Sequence, residues 1–263
     1  MGDLATDAAV VGADGLYTAV LSDEWAAWGP NGGYVAAVLL RAARAHSDFP
    51  RAASMTCHFL SVARFAPVEV TAVTLRRSKR AESVRVTMNQ EGRAIAEALV
   101  WLVAGELDGL VHDVAAMPDV PGPEELRPFT ELLPDDTPEP LSMWLNIEGR
   151  PLTWSDEPSE PYYGSWYRFP AHTSDDAARQ LVLLDVMAWS AALAAHGPDS
   201  GYVAPNLDLT VQFHQADTNE EWLFAEGRAD VARDGLIGFR SRIWSRDRRL
   251  LSSGSGQLLC RPI

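Results

Sequence analysis

Cysteine is nearly absent from this chain of 263 residues: Cys57 and Cys260 each sit in an apolar run (MTCHF and LLCRP) with no ligand spacing around them. That excludes a disulfide scaffold and a thiolate zinc site, and it fits a reducing compartment. Basic charge is also short, 22 Lys and Arg against 36 Asp and Glu, a formal net charge of −14. A protein that tracks phosphates along nucleic acid would work against its own field, so neither nucleic acid nor an anionic membrane surface is an expected partner. The N-terminus lacks a basic stretch followed by an apolar core, and no run reads as the roughly 18 apolar residues of a span, so a soluble cytoplasmic protein is expected. No GxSxG, HExxH, Walker loop or GxGxxG occurs. A serine-elbow hydrolase, a zincin, an NTPase and a nicotinamide enzyme therefore lack their motifs, and neither cofactor nor metal is expected.

What is present is an ordinary globular composition, 47% hydrophobic and 22% charged, long enough for one large domain or two of about 130 residues. Gly32 and Gly33 open GGYVAAVLLRAARAH, apolar almost all round, which reads as a buried helix. Period-2 stretches follow: SMTCHFLSV, VEVTAVTLRR, SVRVTMNQ, a turn at Glu91-Gly92, and AIAEALVWLVA. The order then recurs. Ser174 is a candidate cap for AARQLVLLDVMAWSAALAAH, stopped by Gly197-Pro198, and LDLTVQFH, EWLFAEGRADVA, IGFRSRIWS and RLLSSGSGQLLC follow, with a turn at Asp247. TCHFL at 56–60 falls on TVQFH at 210–214 and VEV at 68–70 on WLF at 222–224, both at an offset of 154. These matches argue for a duplication.

Between the halves, residues 105–141 hold seven prolines and ten acidic residues against one Arg, the composition of an extended connector rather than a packed element. The expected division is therefore 1–104, connector 105–141, and 142–263. SMWLNIEGRPL, with a turn at Glu148-Gly149, and YYGSWYRFP are expected to supply the first strands of the second half.

A long apolar helix followed by an antiparallel sheet, given twice, resembles the double hotdog architecture, an α+β fold in which two helix-wrapped sheets join side by side. GPNGGYVAAVLLRAA, GSWYRF, and above all APNLDLTVQFH followed by EWLF resemble the TesB-type acyl-CoA thioesterases over nearly the whole chain. The resemblance implies hydrolysis of fatty acyl-CoA and a homo-oligomer. It also implies an Asp at the start of the strand after the second helix that helps activate water, here Asp208, and a Gln near the end of the last strand, best matched by Gln257. Counted back from Arg261 the family's Gln would fall on Gly256, and its hydroxyl partner near Asp230, where no Ser or Thr stands within two residues.

Thioester hydrolysis needs a held water, a base, and donors for the oxygen that gains charge. Asp208 is a carboxylate in an apolar strand, where desolvation raises a pKa toward a useful range; the ordinary alternative is an Asp capping the loop after Pro205-Asn206. Thr210 shares its face and could hold the same water. Gly32 and Gly33 stand where a helix N-terminus leaves N–H groups unpaired, a candidate oxyanion site, with Asn31 as cap or substrate contact. His58 and His214 are candidate bases with structural alternatives; six strand residues place His214 about 20 Å from Asp208. The basic run RRSKR at 76–80 is a candidate for CoA's phosphates, or a solvated turn. Some of the nine Trp could line an acyl tunnel. Two other functions on this fold remain: a non-catalytic acyl-CoA binder, and a hydratase, whose Gly-Asp-x-Asn-Pro-aliphatic-His run is missing.

Overall fold

A computed structural model describes residues 1–133, 141–170, 176–215 and 220–263; Ser174, the candidate helix cap, lies outside them. The first half runs α1 (Leu4–Asp7), β1 (Val11–Ala13), β2 (Leu16–Val20), α2 (Gly32–His46), β3 (Arg51–Phe59), β4 (Pro67–Arg77), β5 (Ala81–Gln90) and β6 (Arg93–Val103). The second runs β7 (Glu148–Pro151), β8 (Tyr162–Arg168), α3 (Asp176–His196), β9 (Tyr202–Val203), β10 (Asp208–Phe213), β11 (Trp222–Arg233), β12 (Leu236–Trp244), β13 (Leu250–Leu259) and β14 (Arg261–Pro262). Twelve strands form one antiparallel sheet in the order β1-β2-β4-β5-β6-β3-β10-β13-β12-β11-β8-β7, and β9 and β14 form a separate pair.

Local chemistry explains the elements. Asn31 caps α2 by accepting the Tyr34 N–H at 2.9 Å, and the helix stops at Ser47, ahead of Phe49-Pro50. Every residue from Gly33 to Leu40 is buried, so helix stability comes from packing more than from propensity. The hairpin turns at Glu91-Gly92 and Asp234-Gly235 put two successive residues at positive φ, 51° and 77° in the first and 53° and 79° in the second. That is the turn whose twist matches two-residue strand connections.

The repeat becomes symmetry at the middle of the sheet. β3 and β10 pair antiparallel with Thr56 opposite Thr210, Ser54 opposite Gln212 and His58 opposite Asp208. Thr56 and Thr210 are separated by the same 154 residues as the sequence match, so a pseudo-twofold axis passes between them and relates the two helix-and-sheet halves. The architecture is the expected α+β double hotdog.

Three expectations need correction. Glu148 and Gly149 are not a turn but the first residues of β7, where Gly149 pairs with Tyr167; Ser142–Leu145 is a single 3-10 turn. α3 does have the length and composition of a membrane-crossing helix over Ala177–His196, although most of that stretch is buried within the protein, against α2 and the second half's strands. The connector is also partly packed. Met117, Val120 and Leu126 cover a cluster of Trp166, Trp222, Phe224 and Trp244 on the sheet face opposite α3, and Trp166 Nε1 donates to the Pro121 carbonyl at 2.9 Å. Proline and acid supply the extended backbone, while the few apolar residues among them do the covering.

Candidate functional site

The two helices cross at the N-terminal turn of α2, and glycine is what permits the approach. A Cβ on Gly33 would lie 2.5 Å from both the Leu181 carbonyl oxygen and Val182 Cα. One on Gly32 would lie 2.6 Å from Asp185 Oδ1 and 3.1 Å from the Phe59 ring. No real Cβ sits that close, so both positions need the missing side chain.

Asp185, in the middle of α3, therefore faces the open end of α2. Its Oδ2 accepts from Asn31 Nδ2 at 2.8 Å and its Oδ1 from Asn206 Nδ2 at 2.5 Å. The group is 7% exposed. Burial pushes its carboxyl above the ordinary value of 3.8, opposed by the Asn206 and Asn31 amides and the N–H groups of Gly33 and Gly32. Beside it opens a cavity of about 430 Å³ whose lining includes Asn31, Gly32, Phe59, Asp185, Asn206 and Arg261. Arg261 is the one basic side chain among the described residues of that lining. Cys57, buried nearby, is no candidate nucleophile: burial, and then the charges of Asp185 and Asp208, push its thiol up and keep it protonated.

The residues expected from sequence fall into two groups. Asn31 and Gly32 meet at the cavity, whereas Gly33 is occupied in the helix crossing. Asp208, Thr210 and Gln257 gather on the opposite face of the sheet. Leu209, Val211 and Phe213 of β10 are buried toward the helices, so Asp208 and Thr210 alternate away from them. Gln257 shares that outer face, because its neighbours Gly256 and Leu258 turn inward; the counted position, Gly256, packs against Phe239. Asp208 Oδ1 accepts the Gln257 backbone N–H at 3.1 Å, and Thr210 Oγ1 meets Thr56 Oγ1 at 3.3 Å. None of the three lines the cavity. A base must come within hydrogen-bond reach of its water, so a water bound in this cavity would lie beyond the reach of Asp208, Gln257 and Thr210.

Other candidates also separate from the cavity. Asp230 is held by Arg240 at 2.9 Å. His214 Nε2 meets Ser253 Oγ at 3.0 Å, and His58 lies exposed opposite Asp208. The basic run at 76–80 lies at the wrong end of α2: His46, its last residue, contacts Thr74 at 3.0 Å. The cavity is at the first residues of this helix, about 20 Å away at 1.5 Å per residue. Arg77 in that run is committed to Asp48 at 2.6 Å and lies over the Phe49 ring.

Asp185 and Asn206 were missed by the sequence reading. The signal was a lone charge between Arg179 and His196 in an otherwise apolar helix; its partners come from the other half of the chain and leave no local spacing.

Comparison with known proteins places the fold. A conserved protein of unknown function with a hotdog fold from Alicyclobacillus acidocaldarius superposes with a TM-score of 0.87 at 22% identity, covering 99% of this chain and 98% of that one. The acyl-CoA thioesterase II TesB2 from Mycobacterium marinum gives 0.80 at 17% identity, over 99% and 98%. A TesB protein from Mycobacterium avium subspecies paratuberculosis gives 0.81 at 19%, over 98% of each chain. At these identities the likeness concerns the fold. No curated protein matches. The profile of the acyl-CoA thioesterase N-terminal domain matches residues 21–103 and that of the acyl-CoA thioesterase C-terminal domain residues 112–259, and the chain belongs to the acyl-CoA thioesterase family.

Proposed function

We propose that this protein hydrolyses acyl-CoA thioesters at the junction of α2 and α3, with Asp185 as the base. The observation that carries the reading is a buried carboxylate, raised in pKa, facing a cavity beside the N-terminal turn of a helix. A water against the thioester carbonyl carbon loses its proton to Asp185 as the new C–O bond forms. The oxygen that gains charge is steadied by the second N–H of the Asn31 amide, whose first holds Asp185, with the partial positive charge of the α2 N-terminus behind it, while the Gly32 N–H and the Asn206 amide hold the Asp185 carboxylate itself. Collapse breaks the C–S bond, the proton held by Asp185 returns to the departing sulfur, and free acid and CoA result. Arg261 at the lining supports an additional contact to the phosphates of CoA.

The test is incubation of the purified protein with acyl-CoAs of increasing length, following free thiol and free acid together. Release of both in equal amounts is expected. Saturable binding of acyl-CoA with no thiol released would overturn the hydrolase reading in favour of a binding protein.

A further inference from the structure

A second cavity, of about 700 Å³, lies beside the first, and Trp144 and Ser190 line both. One stripe of α3 connects them: Asp185, Val186 and Trp189 face the first, Ser190 faces both, and Leu193 and Ala194 face the second, with Gly197 just past the helix end. At 1.5 Å per residue, the larger cavity begins about 7 Å from the carboxylate and continues past the helix end. Rings make up much of its lining: Phe129, Trp144, Trp154, Tyr162, Tyr163 and Tyr167.

Phe129 stands 6.1 Å from Trp144 at 58° and 6.2 Å from Trp154 at 47°, and Trp144 stands 6.3 Å from Tyr167 at 25°. These are tilted and offset arrangements that present ring edges and faces to a further ring. Tyr163 adds a second tyrosine from β8, and its hydroxyl and that of Tyr167 bond to each other. Burial lifts Tyr163 to about 12 and pushes Tyr167 up well above its ordinary value, so both stay neutral and offer a polar spot without charge. Asp156, Glu157 and Glu160 at the lining oppose an acyl group that ends in an anion.

We infer that this chamber receives the acyl group of the substrate, and that the acyl groups it selects carry a neutral aromatic ring a few carbons from the thioester. The inference rests on the thioesterase reading for the orientation of the substrate, with the thioester at Asp185 and the ring beyond Ser190.

Calorimetric binding on the Asp185→Asn protein, expected to turn its ligand over about a thousandfold more slowly than the parent, separates the two ideas. The probes are 4-phenylbutyryl-CoA, butyryl-CoA and the carbon-matched decanoyl-CoA. The aryl ester should bind at least about tenfold tighter than either, and Leu193→Trp and Ala194→Trp, which fill the chamber, should each erase the preference. Decanoyl-CoA binding as tightly as the aryl ester, or a preference that survives both folded variants, overturns the inference. An aryl preference that both variants erase, in a parent that hydrolyses none of the three, overturns the hydrolase reading and leaves the chamber standing.

Discussion

The outer face of the first half of the sheet is bare, with Val73, Leu75, Leu99 and Trp101 between 40% and 51% exposed. The matching face of the second half is covered by the connector, and its Trp166, Trp222 and Trp244 are buried. The helices differ in a complementary way. α2 is 15 residues long and opens on two glycines, whereas α3 is 21 residues long and carries a carboxylate in its middle. Sheet pairing is what the duplication preserved, since the axis at Thr56 and Thr210 needs both strands in register. Divergence collected where pairing imposes nothing, at helix ends and connectors. One half presents backbone donors, the other the carboxylate, and the catalytic reading needs both.

The two outer faces can be set against each other by truncation. Trp166→Ala removes a fully packed indole and its bond to Pro121, and should cost about 3–5 kcal/mol in chemical denaturation. Trp101→Ala on the bare face should stay within about 0.5 kcal/mol. Equal losses would mean that the first face is covered in solution.

The two glycines can be separated next. Gly33→Ala forces a methyl into the α3 backbone and should lower stability by about 1–3 kcal/mol. Gly32→Ala meets the Asp185 carboxylate instead, and should lower turnover about a hundredfold with a smaller change in midpoint. Asp185 must be ionised to accept a proton. Its pKa is raised, so kcat/KM should fall as pH drops through a value above the ordinary 3.8 of an aspartate, and that acid limb should be absent from the residual activity of Asp185→Asn. Smallest of all, Arg261→Ala should raise KM for acyl-CoA about tenfold or less with kcat kept, since a phosphate contact at an exposed arginine is made in ground and transition states alike.

Much of the fold was legible in the sequence because its signals are local and periodic. Alternation marks β3 to β6 and β10 to β13, positive-φ turn residues mark the hairpins, and the offset of 154 anticipates the central register. Parity along β10 puts Asp208 and Thr210 on one face, as the structure has them. Which face meets the helices was not legible, because that depends on how distant elements close over the sheet. Met117 and Val120 looked like solvated connector since two or three apolar residues among prolines carry no period. Asp185 looked like one polar residue in a core helix; only its contacts with Asn31, 154 residues away, reveal what it faces.

The choice between the two carboxylates is decided most directly by kcat/KM of Asp185→Asn and Asp208→Asn, measured side by side on one acyl-CoA with folding checked for each. Asp185→Asn is expected to lose about a thousandfold, and Asp208→Asn to stay within about threefold of the parent. A thousandfold loss in Asp208→Asn, with Asp185→Asn still turning over, would contradict the assignment and put the chemistry on the other face of the sheet.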